Sequence, residues 1–261
     1  MAVVGIRGVK GGSGASLLAT NLGIALAARE PCLLIDLHAR LGYDDLLLDL
    51  TVEKSWQDLL PVAGEITQHH LELTLAHHES GLWFLAAPDR EERQPKLDIM
   101  VNLWKDLAGR FSWLLLDLPH AQIHVAQSVI PLIDVLLIVS TLDPPALRSA
   151  NRIVDTLPDD LVPKTVLVLN QVTRDHPAHP ASVAASIGLP LTAVLPLDAP
   201  AVARQVHFGR PCVGDPDSSY GQAVGHLAAR LMDTGVGSRA AMGIAVEGKE
   251  SGRANNQEEQ G

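Results

Sequence analysis

Val9–Leu22, VKGGSGASLLATNL, decides how the rest of this chain is read. Before it, Ala2–Ile6 is a short apolar run with the character of a buried strand. After it, Ser16–Ala28 carries Leu17, Leu18, Leu22, Ile24, Leu26 and Ala27, which predicts a helix. Between the two, Gly11, Gly12 and Gly14 permit unusual dihedrals and close approach of the backbone. A strand, a glycine-rich turn and a helix N-terminus together aim backbone N–H groups at an anion. Ser16 stands where a hydroxyl can hold Mg²⁺. A regular phosphate-binding loop reads G-x-x-x-x-G-K-[ST]. Here Val9 replaces the first glycine and Ala15 replaces the lysine. The competing reading is a glycine-rich turn that merely packs tightly, and the other segments decide between them.

Composition narrows the classes. The chain has 261 residues, 47% of them hydrophobic. No uninterrupted apolar run approaches the roughly 18–20 residues of a spanning helix. No charged n-region precedes an apolar stretch and a cleavage site, so no secretory signal is expected. Cys32 and Cys212 are too few for a disulfide scaffold or a four-cysteine metal site. The expectation is a soluble cytoplasmic protein without a direct membrane anchor. A formal net charge of -10 opposes broad nucleic-acid binding, which needs phosphates neutralised by Lys and Arg.

Apolar runs recur at Cys32–Ile35, Leu82–Leu85, Trp113–Leu116, Val135–Val139, Val166–Leu169 and Thr192–Leu195. Helical patterns are read near 97–109, 122–130, 145–156, 181–187, 199–208 and 219–233. Continuous apolar strands separated by helices predict one mainly parallel α/β sheet covered on both faces. Residues 1–235 are expected to form that domain, and the polar stretch 236–261 a disordered tail.

Several segments, in order, carry a family resemblance. KGGSGAS resembles the deviant P-loop of the ParA/MinD family, with its signature lysine at Lys10. CLLIDLHARLGYDDLLLDL resembles the second motif of that family, a strand ending in D-x-D before a switch loop. WLLLDLPH resembles the Walker B strand ending at Asp117, and VLVLNQV the late strand whose Asn170 would contact adenine. VLPLDAPAVARQVHFGRP resembles the segment that places Pro196 and Asp198 near the base. Longer stretches, among them HHESGLWFLAAPDREE, resemble the CpaE/TadZ group of pilus-assembly proteins, which often carries alanine at the P-loop lysine. Many of that group also have an N-terminal receiver-like domain, which is not expected here because the first strand is read at residue 2.

The resemblance implies a P-loop NTPase fold of the SIMIBI, ParA/MinD-like type. It implies ATP or ADP with Mg²⁺ as cofactor, cradled by Lys10, Gly11, Gly12, Ser13, Gly14, Ala15 and Ser16, with Ser16 and Asp117 on the metal. The substitutions weaken that site. Ala15 cannot contact the β- and γ-phosphates as a lysine does. The D-x-D motif reads Asp36-Leu37-His38, and an imidazole lacks the fixed negative charge of a carboxylate. Lys10, Asp36 and His38 are weak catalytic candidates. Asp44 and Asp45 read as N-cap or solvated residues, with Asp44 an alternative replacement for the missing acid. His69, His70, His77 and His78 read as surface histidines, because adjacent side chains diverge on strand or helix.

The expected function is a CpaE/TadZ-like localisation or assembly factor for a pilus or secretion apparatus. It would act as a homodimer recruited to a polar or membrane-associated assembly. Nucleotide would be held weakly or not at all, and hydrolysed very slowly or not. Two alternatives stand beside it: an active ParA/MinD-like positioning ATPase, and a nucleotide-free interaction scaffold.

Overall fold

The structure, a computed structural model, describes residues 1–38, 42–89, 95–119 and 127–233. The predicted tail, most of the helix read at 122–130, and His120 and His124 lie outside the described residues.

Strands β1 (Ala2–Gly8), β2 (Cys32–Asp36), β3 (Ala76–His77), β4 (Trp83–Leu85), β5 (Trp113–Leu118), β6 (Val135–Ser140), β7 (Thr165–Val172) and β8 (Leu191–Pro196) form one sheet. Their order is β3-β4-β2-β5-β1-β6-β7-β8. Each neighbouring pair is parallel except β3–β4. The apolar runs therefore mark the parallel strands, as expected of strands covered on both faces. Only the two-residue edge strand β3 gives no signal in the sequence.

The helices are α1 (Ala15–Ala27), α2 (Asp44–Leu47), α3 (Gln68–Thr74), α4 (Leu97–Ala108), α5 (Pro144–Asp155), α6 (Pro180–Ile187), α7 (Ala199–Phe208) and α8 (Ser219–Asp233). A 3₁₀ turn spans Trp56–Val62. On one face of the sheet, Met100, Leu103, Trp104 and Leu107 of α4 pack with Ala146, Ala150 and Ile187. On the other face lie Leu18, Leu22 and Leu26 of α1, with Tyr220, Val224 and Leu227 of α8.

Strand alternation sorts the sheet residues between these layers. Leu114, Leu116 and Leu118 of β5 face α4, and Trp113 and Leu115 face α1. Asp117 takes the next position of the α1 alternation, and Asp36 does so on β2. The parallel register sets Asp36 directly beside Asp117. Two carboxylates thus meet at the carboxyl ends of adjacent strands, where open α/β sheets bind ligands.

A buried amide ties the elements around that edge. Gln205 of α7 is fully buried. Its Oε1 accepts from Asn21 Nδ2 of α1 at 2.7 Å and from the Cys212 N–H at 3.2 Å. Its Nε2 donates to the Leu47 carbonyl of α2 and to Thr20 Oγ1 of α1, both at 3.3 Å. The Val213 N–H in turn donates to Asn21 Oδ1 at 2.9 Å.

Candidate nucleotide and metal site

The glycine-rich loop is braced from β7. Helix α1 starts after Gly14, whose φ of 87° suits glycine, and no side chain caps its first turn. Those amides are left open to an anion. Asn170 Nδ2 donates to the Ser13 carbonyl at 2.9 Å, and a Cβ at Gly14 would lie 2.2 Å from that nitrogen. Gln171 Nε2 donates to the Gly12 carbonyl at 3.0 Å. Gln171 holds φ of 57°, a left-handed conformation unusual for a residue with a side chain. Sequence reading missed this residue, because nothing in VLVLNQV marks a positive φ. Asn170 is buried, with its carbonyl oxygen accepting the Gln171 N–H at 2.8 Å.

Lys10 does not stand free in the cradle. Its ammonium donates to both oxygens of Asp143, at 2.9 and 3.1 Å. Asp143 also caps α5 through the Ala146 N–H at 3.1 Å and accepts from the Thr141 hydroxyl. The Thr141 hydrogen bond first, then that of Lys10, hold the Asp143 carboxyl down at about 2.

The acid corner lies beside Ser16, and its His38 lines the same pocket as the loop. His38 Nδ1 is 3.1 Å from Asp36 Oδ1 and 3.4 Å from Asp117 Oδ2. The His38 backbone N–H also donates to Asp36 Oδ1 at 2.8 Å. Asp117 is completely buried, and the donors beside its carboxylate, the Ser16 hydroxyl and the His38 ring, are not in good hydrogen-bond geometry. Burial pushes its carboxyl up to about 7; His38 opposes this, Asp36 adds to it, and the nearby Ser16 hydroxyl opposes it slightly. Burial also lowers the affinity of His38 for a proton, but its hydrogen bond to Asp36 and the charges of Asp117 and Asp36 raise it on balance.

Asp44 corrects the expectation of a solvated or capping acid. Tyr43 is the N-cap of α2, and Asp44 in the first turn is buried with both oxygens unpartnered. Its carboxyl is raised well above the ordinary range, chiefly by burial and then by the charges of Asp117, Asp36 and Asp45. Gly42 lets this segment come close: a Cβ there would meet Asp36 Oδ2 at 2.4 Å. The corner has unsatisfied buried carboxylate oxygens in excess of its donors, the condition that a cation relieves. Ser16, Asp36 and Asp117 fit Mg²⁺ in that respect, and the ion would neutralise phosphate charge there.

The pocket at the loop encloses about 570 Å³. Lys10, Gly11, Gly12, Ser13, Gly14, Ala15, Ser16, His38 and Gln171 line it, with Tyr43, Val202 and Val206 on its apolar side. Asn170, Pro196 and Asp198, and the corner carboxylates Asp36 and Asp117, are not among its lining residues. Pro196 ends β8 opposite Val172. Asp198 caps α7 through the Ala201 N–H at 3.2 Å and accepts from the Ser218 hydroxyl at 2.9 Å and the Tyr220 N–H at 3.3 Å.

The histidines divide. His70 Nδ1 accepts the Thr67 N–H at the start of α3, and His77 packs edge-on against Trp83. His78 is buried, not on the surface, because its Nδ1 meets Ser80 in the turn after β3. Among the described residues, the groups spaced to share a metal ion are Asp36, His38 and Asp117. No helix among the described residues is long and apolar enough to cross a membrane.

Comparison with known proteins bears on the family and the fold. Residues 1–156 match the family model described as cellulose biosynthesis protein BcsQ. A chain named as a septum site-determining protein MinD of Guillardia theta is 28% identical over 246 residues, covering 88% of this chain and 87% of that one. The crystal structure of a ParA family ATPase from Chlorobium tepidum superposes with a TM-score of 0.80 at 21% identity, covering 88% of this chain and 98% of that one. MinD of Pyrococcus horikoshii complexed with Mg-ADP superposes with a TM-score of 0.76 at 23% identity, covering 90% and 97%. The mainly parallel sheet flanked by helices is that of ParA/MinD P-loop NTPases.

Proposed function

Because the chain belongs to the BcsQ family and has the ParA/MinD fold, we propose that it is a localisation or assembly factor with a weak nucleotide site and little or no turnover. The observation that carries this reading is the state of its lysines. Ala15 brings no ammonium to the phosphates, and Lys10, the one lysine lining the pocket among the described residues, is held by Asp143. The cradle of amides at the α1 N-terminus remains and supports a diphosphate. Binding can therefore outlast fast chemistry, which needs charge delivered to the transferring phosphoryl group.

The CpaE/TadZ-like motifs favour a pilus or secretion apparatus as the partner, and the BcsQ family name favours a cellulose-producing one. Either would be met by a homodimer. Tyr43 and Leu46 of the α2 segment and Val206 and Phe208 of α7 are exposed apolar side chains; Tyr43 and Val206 line the pocket. They support a protein partner at that edge.

The active positioning ATPase keeps one specific observation in its favour. Asp44 supplies a buried carboxylate that interacts with Asp36 and Asp117, where His38 has replaced an acid. Calorimetric titration with ATP and ADP, with and without Mg²⁺, joined to turnover and solution mass, separates the readings. Weak binding with negligible turnover and a nucleotide-dependent dimer is expected. Ordinary ParA/MinD-like turnover abolished by Asp117→Ala would establish the active ATPase instead. No binding at millimolar nucleotide would leave the empty scaffold.

A further inference from the structure

The corner at the ends of β2 and β5 has a donor set that magnesium does not call for. Mg²⁺ takes oxygen ligands in near-ideal octahedral geometry and keeps several waters. Imidazole suits zinc, copper, iron and nickel. Here a ring nitrogen, His38 Nδ1, stands between two carboxylates, 3.1 Å from Asp36 Oδ1 and 3.4 Å from Asp117 Oδ2. The donor atoms all lie within 4.8 Å of one another. Ligands at about 2.0–2.2 Å from a tetrahedral ion stand roughly 3.3–3.5 Å apart, so the two His38 separations need little change to close on one ion.

Burial supplies the second observation. Asp117 and Asp44 are buried, and none of their four carboxylate oxygens accepts a well-formed hydrogen bond, the Ser16 hydroxyl and the His38 ring standing beside Asp117 in poor geometry. Buried carboxylates without donors are costly unless a cation compensates them. His38 is part-buried and lines the pocket, so the site is reached from the same opening as the loop.

We propose that Asp36, His38 and Asp117 form a protein-only site for a divalent first-row transition ion, Zn²⁺ in preference to Mg²⁺, which fills without nucleotide. The proposal deepens the reading of this pocket but needs neither phosphate binding nor turnover. His38 at the position of the missing acid then changes which metal the pocket takes. Asp44 is buried beside the same ligands. Water or a ligand oxygen would complete the coordination.

The test uses the whole, nucleotide-free protein titrated with Zn²⁺, Co²⁺ and Mg²⁺ and followed by calorimetry and Co²⁺ absorption. One Zn²⁺ or Co²⁺ per chain is expected, bound at least tenfold more tightly than Mg²⁺. X-ray absorption of the wild-type zinc form is expected to show nitrogen and oxygen neighbours without sulfur. His38→Ala is expected to weaken Zn²⁺ binding by about 10- to 100-fold. His38→Asp is expected to move the preference toward Mg²⁺, and His78→Ala to leave zinc affinity unchanged. Undiminished zinc affinity in folded His38→Ala, thiolate scattering from the wild-type ion, or Mg²⁺ bound as tightly as Zn²⁺ would each overturn the proposal. The last two need no variant, so a folding defect at His38 does not shield it. Failure of the nucleotide titration with intact zinc binding would sink the nucleotide reading alone, and the converse result would sink this one alone.

Discussion

Asp117 and Asp198 both occupy the carboxyl edge of the sheet, and both were singled out by sequence, yet their surroundings are opposite. Asp198 is surrounded by donors: the Ala201 and Tyr220 N–H groups and the Ser218 and Ser219 hydroxyls. Partial burial, the largest single influence, raises its carboxyl, but the hydrogen bonds from Ser218, Ala201, Tyr220 and Ser219 together hold it below the ordinary range. Asp117 is buried with no well-placed hydrogen-bond donor on either oxygen and is pushed up to about 7, mainly by burial. The first is what a folded chain does with a carboxylate it needs for architecture. The second is buried at a cost that a cation would offset, which supports the metal proposed there.

The sharpest way to break this contrast is pH. Asp117 is raised in the folded state, so its contribution to stability is full below the unfolded value near 3.9 and is lost as pH rises through about 7. Asp44 acts in the same direction. The metal-free protein is therefore expected to melt lower at pH 8 than at pH 5. Asp117→Asn is expected to flatten that difference, gaining on the order of a few kcal/mol at pH 8 at about 1.4 kcal/mol per pH unit. Thermal denaturation across this range decides it; a wild-type curve rising from pH 5 to pH 8 would refute the reading.

Gly42→Ala probes how tightly the corner is built. The added Cβ must displace the Asp36 carboxylate, so a loss of about 1–3 kcal/mol in chemical denaturation is expected, with weakened metal binding. At the satisfied end, Asp198→Ala removes a helix cap and is expected to cost about 0.5–2 kcal/mol. Metal affinity measured on that variant should stay at the wild-type level, and a tenfold loss would mean that the two regions are not separate. For wild-type Asp198, whose value is depressed, the contribution is present above the unfolded value near 3.9 and fades as pH falls through its lower folded value.

The smallest effect on stability is expected at the Lys10–Asp143 pair, which is substantially exposed. Asp143→Asn should shift the melting temperature little. It should tighten ADP binding severalfold in calorimetry, because Lys10 is released toward the phosphates. Unchanged affinity would show that Lys10 has no reach into the pocket.

What sequence could reveal follows from range. The parallel strands and α1 were legible because burial on both faces writes continuous apolar runs. Asp36 and Asp117 were legible because each ends such a run. Asp44 was misread because YDDLLL offers a polar pair before leucines, and only the fold shows that the first of the pair turns inward toward Asp36 and Asp117. His78 was misread for a similar reason: the Ser80 turn that encloses it is a tertiary detail. Gln205 and Asn21 gave no signal, since their meaning lies in each other, far apart along the chain.

Gln205 has a practical consequence for anyone recombining this chain with its relatives. Its one amide satisfies partners on α1, α2 and the segment after α7 at the same time. A graft that imports only residues 199–213 breaks a joint whose other halves are Thr20, Asn21 and the backbone at Leu47. The exchangeable module here is therefore a set of separated pieces that must travel together, although no contiguous stretch of sequence marks its borders.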